Sequence, residues 1–321
     1  MRLAHRCLLI AAALATCGPF ATRAEDANIP WQVADLERRL SLEPLVIVHA
    51  QPARGIAEDV ALRSDVRFAD EQEMRVKIRP AGRGGTEFNN EPRYELAAYV
   101  LQQAFLEPNE HVVPPTALRT MPRAQLLPYA PRVEATFRGA DDVLVVVQYW
   151  LQHVARGRDP WDASRFAQDP AYARHVANLN VLTFLIRHGD SNAGNILASA
   201  LPTNPRAFAV DNGVAFGSPA SNRGTAWREL RVPALPRATV DRLRALDIEQ
   251  LRRRLSVLAT WRLEDRRWQF EPGAPRLSGD MGVRQRADVV QLGLTRQEIQ
   301  DVERRRRLLL RRVDRGEIGV F

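Results

Sequence analysis

The sequence predicts an α+β protein whose first part is rich in strands and whose second part is mostly helical, and three observations carry that expectation. Residues 45–48, 75–78 and 143–147 are short stretches rich in β-branched residues, bounded by turn residues or proline and too short for helices. Residues 240–258 and 295–313 repeat leucine at helical spacing. Between these regions, Leu179, Leu182 and Ile186 form a helical stripe that runs into the polar string Arg187-His188-Gly189-Asp190-Ser191-Asn192-Ala193-Gly194-Asn195, and residues 195–197 and 207–210 then return to strand length. A chain of 321 residues accommodates one large domain or two parts with cores of their own.

Taken in order, residues 1–24 read as a secretory signal peptide. Arg2 and Arg6 precede an apolar run from Cys7 to Thr16, and Thr22-Arg23-Ala24 offers a small-residue cleavage site before Glu25. No later stretch reaches the roughly 18 apolar residues of a membrane span. The expected mature protein is therefore exported, periplasmic or secreted, with no transmembrane segment. Leu14-Ala15-Thr16-Cys17 outlines a lipoprotein cleavage box, with Thr16 a poor fit, so lipidation at Cys17 is the lesser alternative. Cys7 and Cys17 both fall in the leader, which leaves the mature chain without a disulfide. The net charge of +8 loses Arg2, Arg6 and Arg23 with the leader, and the modest remainder calls for no nucleic-acid partner. Of the 46 basic residues all but one are arginine, and the exception is Lys77. An ammonium is a compact point charge and a guanidinium a planar fork, so a solitary lysine marks either a chance survivor or a place that needs the smaller group.

Residues 29–42 read as an amphipathic helix carrying Leu36 and Leu40, and 45–48 as a buried strand. A turn-rich loop at 51–56 holds Gly55. The strand 75–78 ends at Pro80, and alternation turns Lys77 away from the face of Val76 and Ile78. Residues 91–106 read as a helix with Ala97, Leu101 and Ala104 on one stripe. A polar, proline-containing run leads to 143–150, whose five successive apolar residues suit a central strand buried on both faces. Beyond Asp211, residues 217–237 are rich in Arg, Pro, Ser and Asn, and Arg223, Arg228 and Arg231 there either bind an acidic acceptor or are solvated surface. Arg304–Arg307, Arg311 and Arg312 sit among acidic residues, with Leu308–Leu310 as the buried face of a charge-laced closing helix. The six histidines are scattered and no zinc pattern occurs.

Asp190 and Asn195, five apart in one loop, and Asp211 after the next strand can converge as hard oxygen ligands suited to Mg²⁺. Either segment taken alone is an ordinary turn. Together, His188-Gly189-Asp190, Gly194-Asn195-Ile196-Leu197 and Val210-Asp211-Asn212-Gly213-Val214-Ala215 resemble the catalytic and metal-binding loops of atypical protein-kinase-like phosphotransferases. That superfamily includes aminoglycoside phosphotransferases, HipA-type kinases, phosphatidylinositol kinases and secreted Golgi-type kinases. Some branches carry Asp-Arg-His where this chain has Asp190-Ser191-Asn192.

The resemblance covers about residues 45–320. It implies a bilobal protein-kinase-like fold with a small β-rich N-lobe at 25–150 and a larger, mostly helical C-lobe at 151–321. It implies an ATP-dependent kinase that transfers the γ-phosphate to a hydroxyl of an unknown protein or small-molecule acceptor, with Mg²⁺ or Mn²⁺ as cofactor. Asp190 is then the general base, and Asn195 and Asp211 are the metal ligands. Lys77 anchors the phosphates and Glu95 orients it, although Glu95 is also readable as an exposed helix charge, as is Glu91. Gln148, Tyr149 and Trp150 occupy the adenine-binding hinge, where the aromatic pair is otherwise ordinary core. Gly55 is the single glycine available for the nucleotide loop. His188 shapes the catalytic loop. Two rivals stand beside this reading: a pseudokinase serving as a nucleotide-binding or scaffold module, and a basic surface-binding protein acting through the Arg-rich C-terminal helix.

Overall fold

The computed structural model describes residues 26–53, 61–87, 90–218 and 224–321. The leader with Cys7 and Cys17, Gly55 and Arg223 lie outside the described residues. The chain is a mixed α/β protein in which a five-stranded antiparallel sheet precedes a region of helices and three smaller sheets. Residues 26–31 form turns pinned by Asp26, whose carboxylate accepts from Asn28 N at 2.9 Å. For that reason α1 (Val33–Ser41) begins later than its apolar spacing suggests, with Leu36 and Leu40 fully buried.

The first sheet comprises β1 (Leu45–Pro52), β2 (Leu62–Phe68), β3 (Glu73–Pro80), β4 (Thr116–Pro122) and β5 (Asp142–Tyr149), in the order β1-β2-β3-β5-β4. β5 is interior and buried along its whole length, as five successive apolar residues require. β1 corrects an expectation: it is an edge strand, with Val46 53% and Val48 43% exposed, because a strand at the margin of a sheet packs one face only. β2 and β4 are additional to the sequence reading. In β2 the inward residues are Leu62, Ser64, Val66 and Phe68, a period-2 signal diluted by the serine and by Arg63, Asp65 and Arg67 between them. β4 lies between Pro115 and Pro122, on the outer margin where proline is tolerated.

Between β3 and β4 runs α2 (Pro92–Gln102), with proline in its first turn and every residue but Val100 buried. A helix covered all round is clamped between two bodies, and its neighbours are β4, β5 and the helices of the second half. α3 (Arg123–Leu126) is a single turn. Beyond β5 come β6 (Val154–Ala155), α4 (Ala163–Gln168), α5 (Pro170–Ile186), β7 (Ile196–Ser199) and β8 (Ala207–Ala209), with β6, β7 and β8 forming one small antiparallel sheet. β9 (Ala234–Leu235) leads to α6 (Arg237–Ala245) and α7 (Ile248–Leu255). These are two helices where one was expected at 240–258, because Asp247 opens a capping box with Gln250.

Next comes a sheet the sequence reading did not anticipate. β10 (Ala259–Glu264), β11 (Arg267–Phe270), β12 (Val283–Arg286) and β13 (Val289–Leu292) are ordered β11-β10-β13-β12. It braces the first sheet: Asp142 accepts from Trp268 N and Arg267 Nε, both at 2.8 Å, Thr120 Oγ1 donates to the Trp268 carbonyl at 2.7 Å, and Phe137 meets the Trp268 ring edge-on. α8 (Arg296–Asp314), capped by Thr295 and Glu298, closes the chain before β14 (Gly319–Val320), which pairs in parallel with β9. The buried face of α8 differs from the expected Leu308–Leu310: Leu308 is exposed, whereas Arg305 and Arg306 are buried with Leu309. Arg305 Nε donates to the Leu185 carbonyl, and Arg306 binds Glu303 and the Leu243 carbonyl. Part of the basic run is thus interior structure. Among the described residues no helix is long and apolar enough to cross a membrane.

Candidate active site

Three elements carry the central charges to one place. β3 turns Val76 and Ile78 into the core under the first sheet and so directs Lys77 to the opposite face. There its ammonium ion-pairs with the Asp211 carboxylate and lies 3.6 Å from Glu95 Oε1 on α2. Burial favours the neutral amine, but Asp211 and Glu95 outweigh it and hold Lys77 above its ordinary pKa. Glu95 is itself buried, and its second oxygen accepts from Asn212 N at 2.9 Å. Glu91 lies apart, against Arg93 at 3.4 Å. Of the two helix carboxylates, Glu95 is therefore the one beside the lysine.

β8 delivers Asp211, which takes a left-handed backbone conformation at φ 56°, a sparsely populated region that asparagine and aspartate tolerate best. The next residues dock on α2: Glu91 N donates to the Gly213 carbonyl at 3.1 Å, and a Cβ at Gly213 would come within 3.0 Å of Asn90 Cα. A side chain there would force the Asn90 backbone to give way by a few tenths of an ångström. Phe216 then packs its ring 5.2 Å from Tyr94, and Gly189 N donates to the Val214 carbonyl at 2.7 Å. The Asp211 segment is thereby fastened to α2 on one side and to the polar loop on the other.

α5 ends at Arg187 in a left-handed turn, and the loop beyond it is held from within. His188 is fully buried, and its Nδ1 accepts from Asp190 N at 3.2 Å. Burial pushes that imidazole down to about 4, against the pull of the Val210 carbonyl, Asp190 and Asp211, so it acts as a neutral acceptor. Asn195 Nδ2 donates to the Asp190 carbonyl at 2.8 Å, and Val210 N donates to the Asn195 carbonyl at 2.9 Å. Asp190 and Asn195 thus belong to one hydrogen-bonded unit that is tied to the residue before Asp211. Two participants escaped the sequence reading. Ser191 N and Oγ donate to the Gly224 carbonyl, and Ser191 Oγ accepts from Trp227 N at 3.3 Å, tethering the segment after residue 223. Asn192 Nδ2 donates to Asp190 Oδ1 at 2.8 Å. Arg231 ion-pairs with Asp159 at 2.8 Å and Arg228 lies 3.7 Å from Glu229, so both have partners within the chain.

Gln148 and Tyr149 belong to β5 rather than to the linker after it, and both are buried. Gln148 lies opposite Lys77 and Thr116 in the sheet, and its Nε2 donates to Thr116 Oγ1 at 2.9 Å. Tyr149 N and Trp150 N donate to the carbonyls of Pro115 and Arg75. The linker proper therefore starts at Trp150, whose ring stacks with Arg63 and Arg156 at 5.9 and 5.2 Å. A strap from the start of the described chain crosses it: Asn28, fully buried, accepts from Gln152 N through its carbonyl and donates through Nδ2 to the Gln152 and His153 carbonyls at 2.8 and 3.1 Å.

The donor chemistry suits a small divalent cation. Asp211 and Asn195 offer hard oxygens, and the Asp211 carboxylate already draws the nearest available cation, the Lys77 ammonium. A comparison of the chain with models of known protein families gives no match, and neither does a comparison with curated protein sequences.

Proposed function

We propose that the protein is an ATP-dependent, protein-kinase-like phosphotransferase, exported from the cytoplasm, that transfers the γ-phosphate to a hydroxyl of a protein or small-molecule acceptor. The observation that carries the reading is the buried meeting of Lys77, Glu95 and Asp211. Kinases place the phosphate-gripping lysine on the third strand, pair it with a glutamate on the following helix and hold metal on an aspartate followed by a glycine two residues on. Here Lys77 lies on β3, Glu95 on α2, and Asp211-Asn212-Gly213 docks on that helix. His188, Asp190 and Asn195 keep the kinase spacing of His-x-Asp followed by Asn five residues after the Asp. In this reading residues 25–150 and 151–321 are the two lobes, and Trp150–His153 is the hinge.

The geometry supports this division of labour. A bound Mg²⁺ or Mn²⁺ would supply neutralisation of the phosphate charge. Asp211 and Asn195 would hold it. Lys77, retained by Glu95, would place its ammonium on the phosphates. Asp190, held by His188 and Asn195, accepts the proton of the attacking hydroxyl. The backbone of the hinge meets the base.

The test is nucleotide binding by the mature protein with and without Mg²⁺, followed by thermal shift and calorimetry, alongside Asp211→Ala. The wild type is expected to bind ATP in a metal-dependent manner and the variant to lose that binding while keeping its fold. A wild type that binds no nucleotide at millimolar concentration overturns the proposal.

A further inference from the structure

The loop contains a polar side chain that the roles above leave unused. Asn192 Nδ2 donates to Asp190 Oδ1 at 2.8 Å and, at the longer distance of 3.4 Å, to the Asp190 carbonyl. Its other amide atom is equally committed, since Asn192 Oδ1 accepts from Gly194 N at 2.7 Å. Only an oxygen can accept from that N–H, so the nitrogen is forced toward Asp190 and the orientation of the amide is determined. The backbone of Asn192 is fixed as well, its carbonyl accepting from Asn195 N at 2.9 Å and Ile196 N at 3.0 Å. Two glycines leave room for it. A Cβ at Gly194 would stand 3.0 Å from Asn192 Oδ1, and one at Gly224 would stand 2.6 Å from Asn192 N.

We infer that Asn192 is a positioning residue for Asp190, holding one carboxylate oxygen by a fixed amide so that the other is presented to the acceptor hydroxyl; this rests on the phosphotransferase reading. A carboxylate on a single Cβ rotates about its last torsion over a broad range, and proton transfer requires one oxygen within hydrogen-bond reach of the hydroxyl. A donor on Oδ1 removes that freedom. An amide is the side chain of this size that can do both jobs, accepting from Gly194 and donating to Asp190. An aspartate here would keep the first contact, lose the second, and set a like charge against Asp190.

That difference supplies the test. Asn192→Asp preserves size and the acceptor for Gly194 N while replacing the donor to Asp190 with an acceptor. Asn192→Ala removes both contacts. Phosphotransfer by the mature wild-type and variant proteins is measured against ATP concentration, with an acceptor or with water as acceptor, and folding is checked by circular dichroism and thermal melting. Both variants are expected to lose on the order of 10- to 100-fold in kcat, with KM for ATP unchanged, because Lys77 and Asp211 are untouched. An active wild type with Asn192→Asp equally active overturns the positioning role alone. A fall in ATP affinity without a fall in kcat overturns it too, assigning Asn192 to the nucleotide instead. A wild type that binds ATP and transfers nothing overturns both this inference and the phosphotransferase reading, and if Asn192→Ala does not fold, Asn192→Asp alone decides.

Discussion

In the phosphotransferase reading Lys77 is the residue on which the chemistry turns, and its surroundings favour an ammonium over a guanidinium. It reaches two carboxylates, Glu95 and Asp211, from one strand position that is almost fully buried. A guanidinium is wider and directs its donors in one plane, so it would push apart the helix that carries Glu95 and the turn that carries Asp211. Lys77→Arg is therefore expected to conserve charge, fold, and lose phosphotransfer by on the order of 100-fold, the cost of misplacing a reacting group by about 1 Å. Side-by-side ATP turnover with circular dichroism as the folding control checks it, and equal activity would reduce the lone lysine to an accident of composition. The meeting of Lys77, Glu95 and Asp211 was legible at this scale because residue type and order along the chain, which a sequence displays, are what singled them out. Ser191 and Asn192 were not legible: their partners are Gly224, Trp227 and Asp190, and nothing in a Ser-Asn pair distinguishes such contacts from an ordinary turn.

Helix α2 shows how an element is fixed from both ends of the chain. At its first turn Arg93 forms a bidentate pair with Glu298, at 2.6 and 2.9 Å, and the Tyr94 hydroxyl binds the same carboxylate. Burial opposes the charge on Arg93, yet Glu298 holds the guanidinium above its ordinary pKa. A Cβ at Gly282 would come 2.3 Å from Arg93 Cζ, so the cluster fits only around a glycine. Removing one partner of a buried pair leaves the other charged and dry, which costs roughly 3–5 kcal/mol. Glu298→Ala is expected to lose stability of that order in urea titration and to weaken ATP binding as well, because α2 carries Glu95. Unchanged urea midpoints would show that water replaces the glutamate. The elements whose periodicity is local, β3, β5, α5 and α8, were readable in advance. The four-stranded sheet at 259–292 was not, since its strands are four to six residues long and carry charges on their outer faces. The edge position of β1 was hidden for a different reason: Val46 and Val48 look like core until the sheet order is known.

Across the whole molecule, three buried histidines couple stability to pH. Burial pushes His111, His175 and His188 down to about 4. In the unfolded chain each takes up a proton near pH 6.5, whereas the folded protein keeps all three neutral to about pH 4. The unfolded state thus binds more protons in that window, and stability is full above pH 6.5 and falls as the pH drops toward 4, with a limiting slope of roughly 4 kcal/mol per pH unit. Thermal melts at pH 7, 6 and 5 should show the midpoint descending, and a flat profile would mean that the imidazoles are hydrated. The brace between the two ends of the chain has a consequence for how the protein is made. Arg93 meets Glu298 205 residues later, and Asp142 meets Trp268 126 residues later. At synthesis rates of about 5–20 residues per second, Glu298 leaves the ribosome roughly 10–40 s after Arg93, and Trp268 roughly 6–25 s after Asp142. During that interval α2 carries a buried-to-be cation with no counterion, and the first sheet lacks the cover of Trp268. The Arg93–Glu298 pair can therefore form only once α8 has been synthesised.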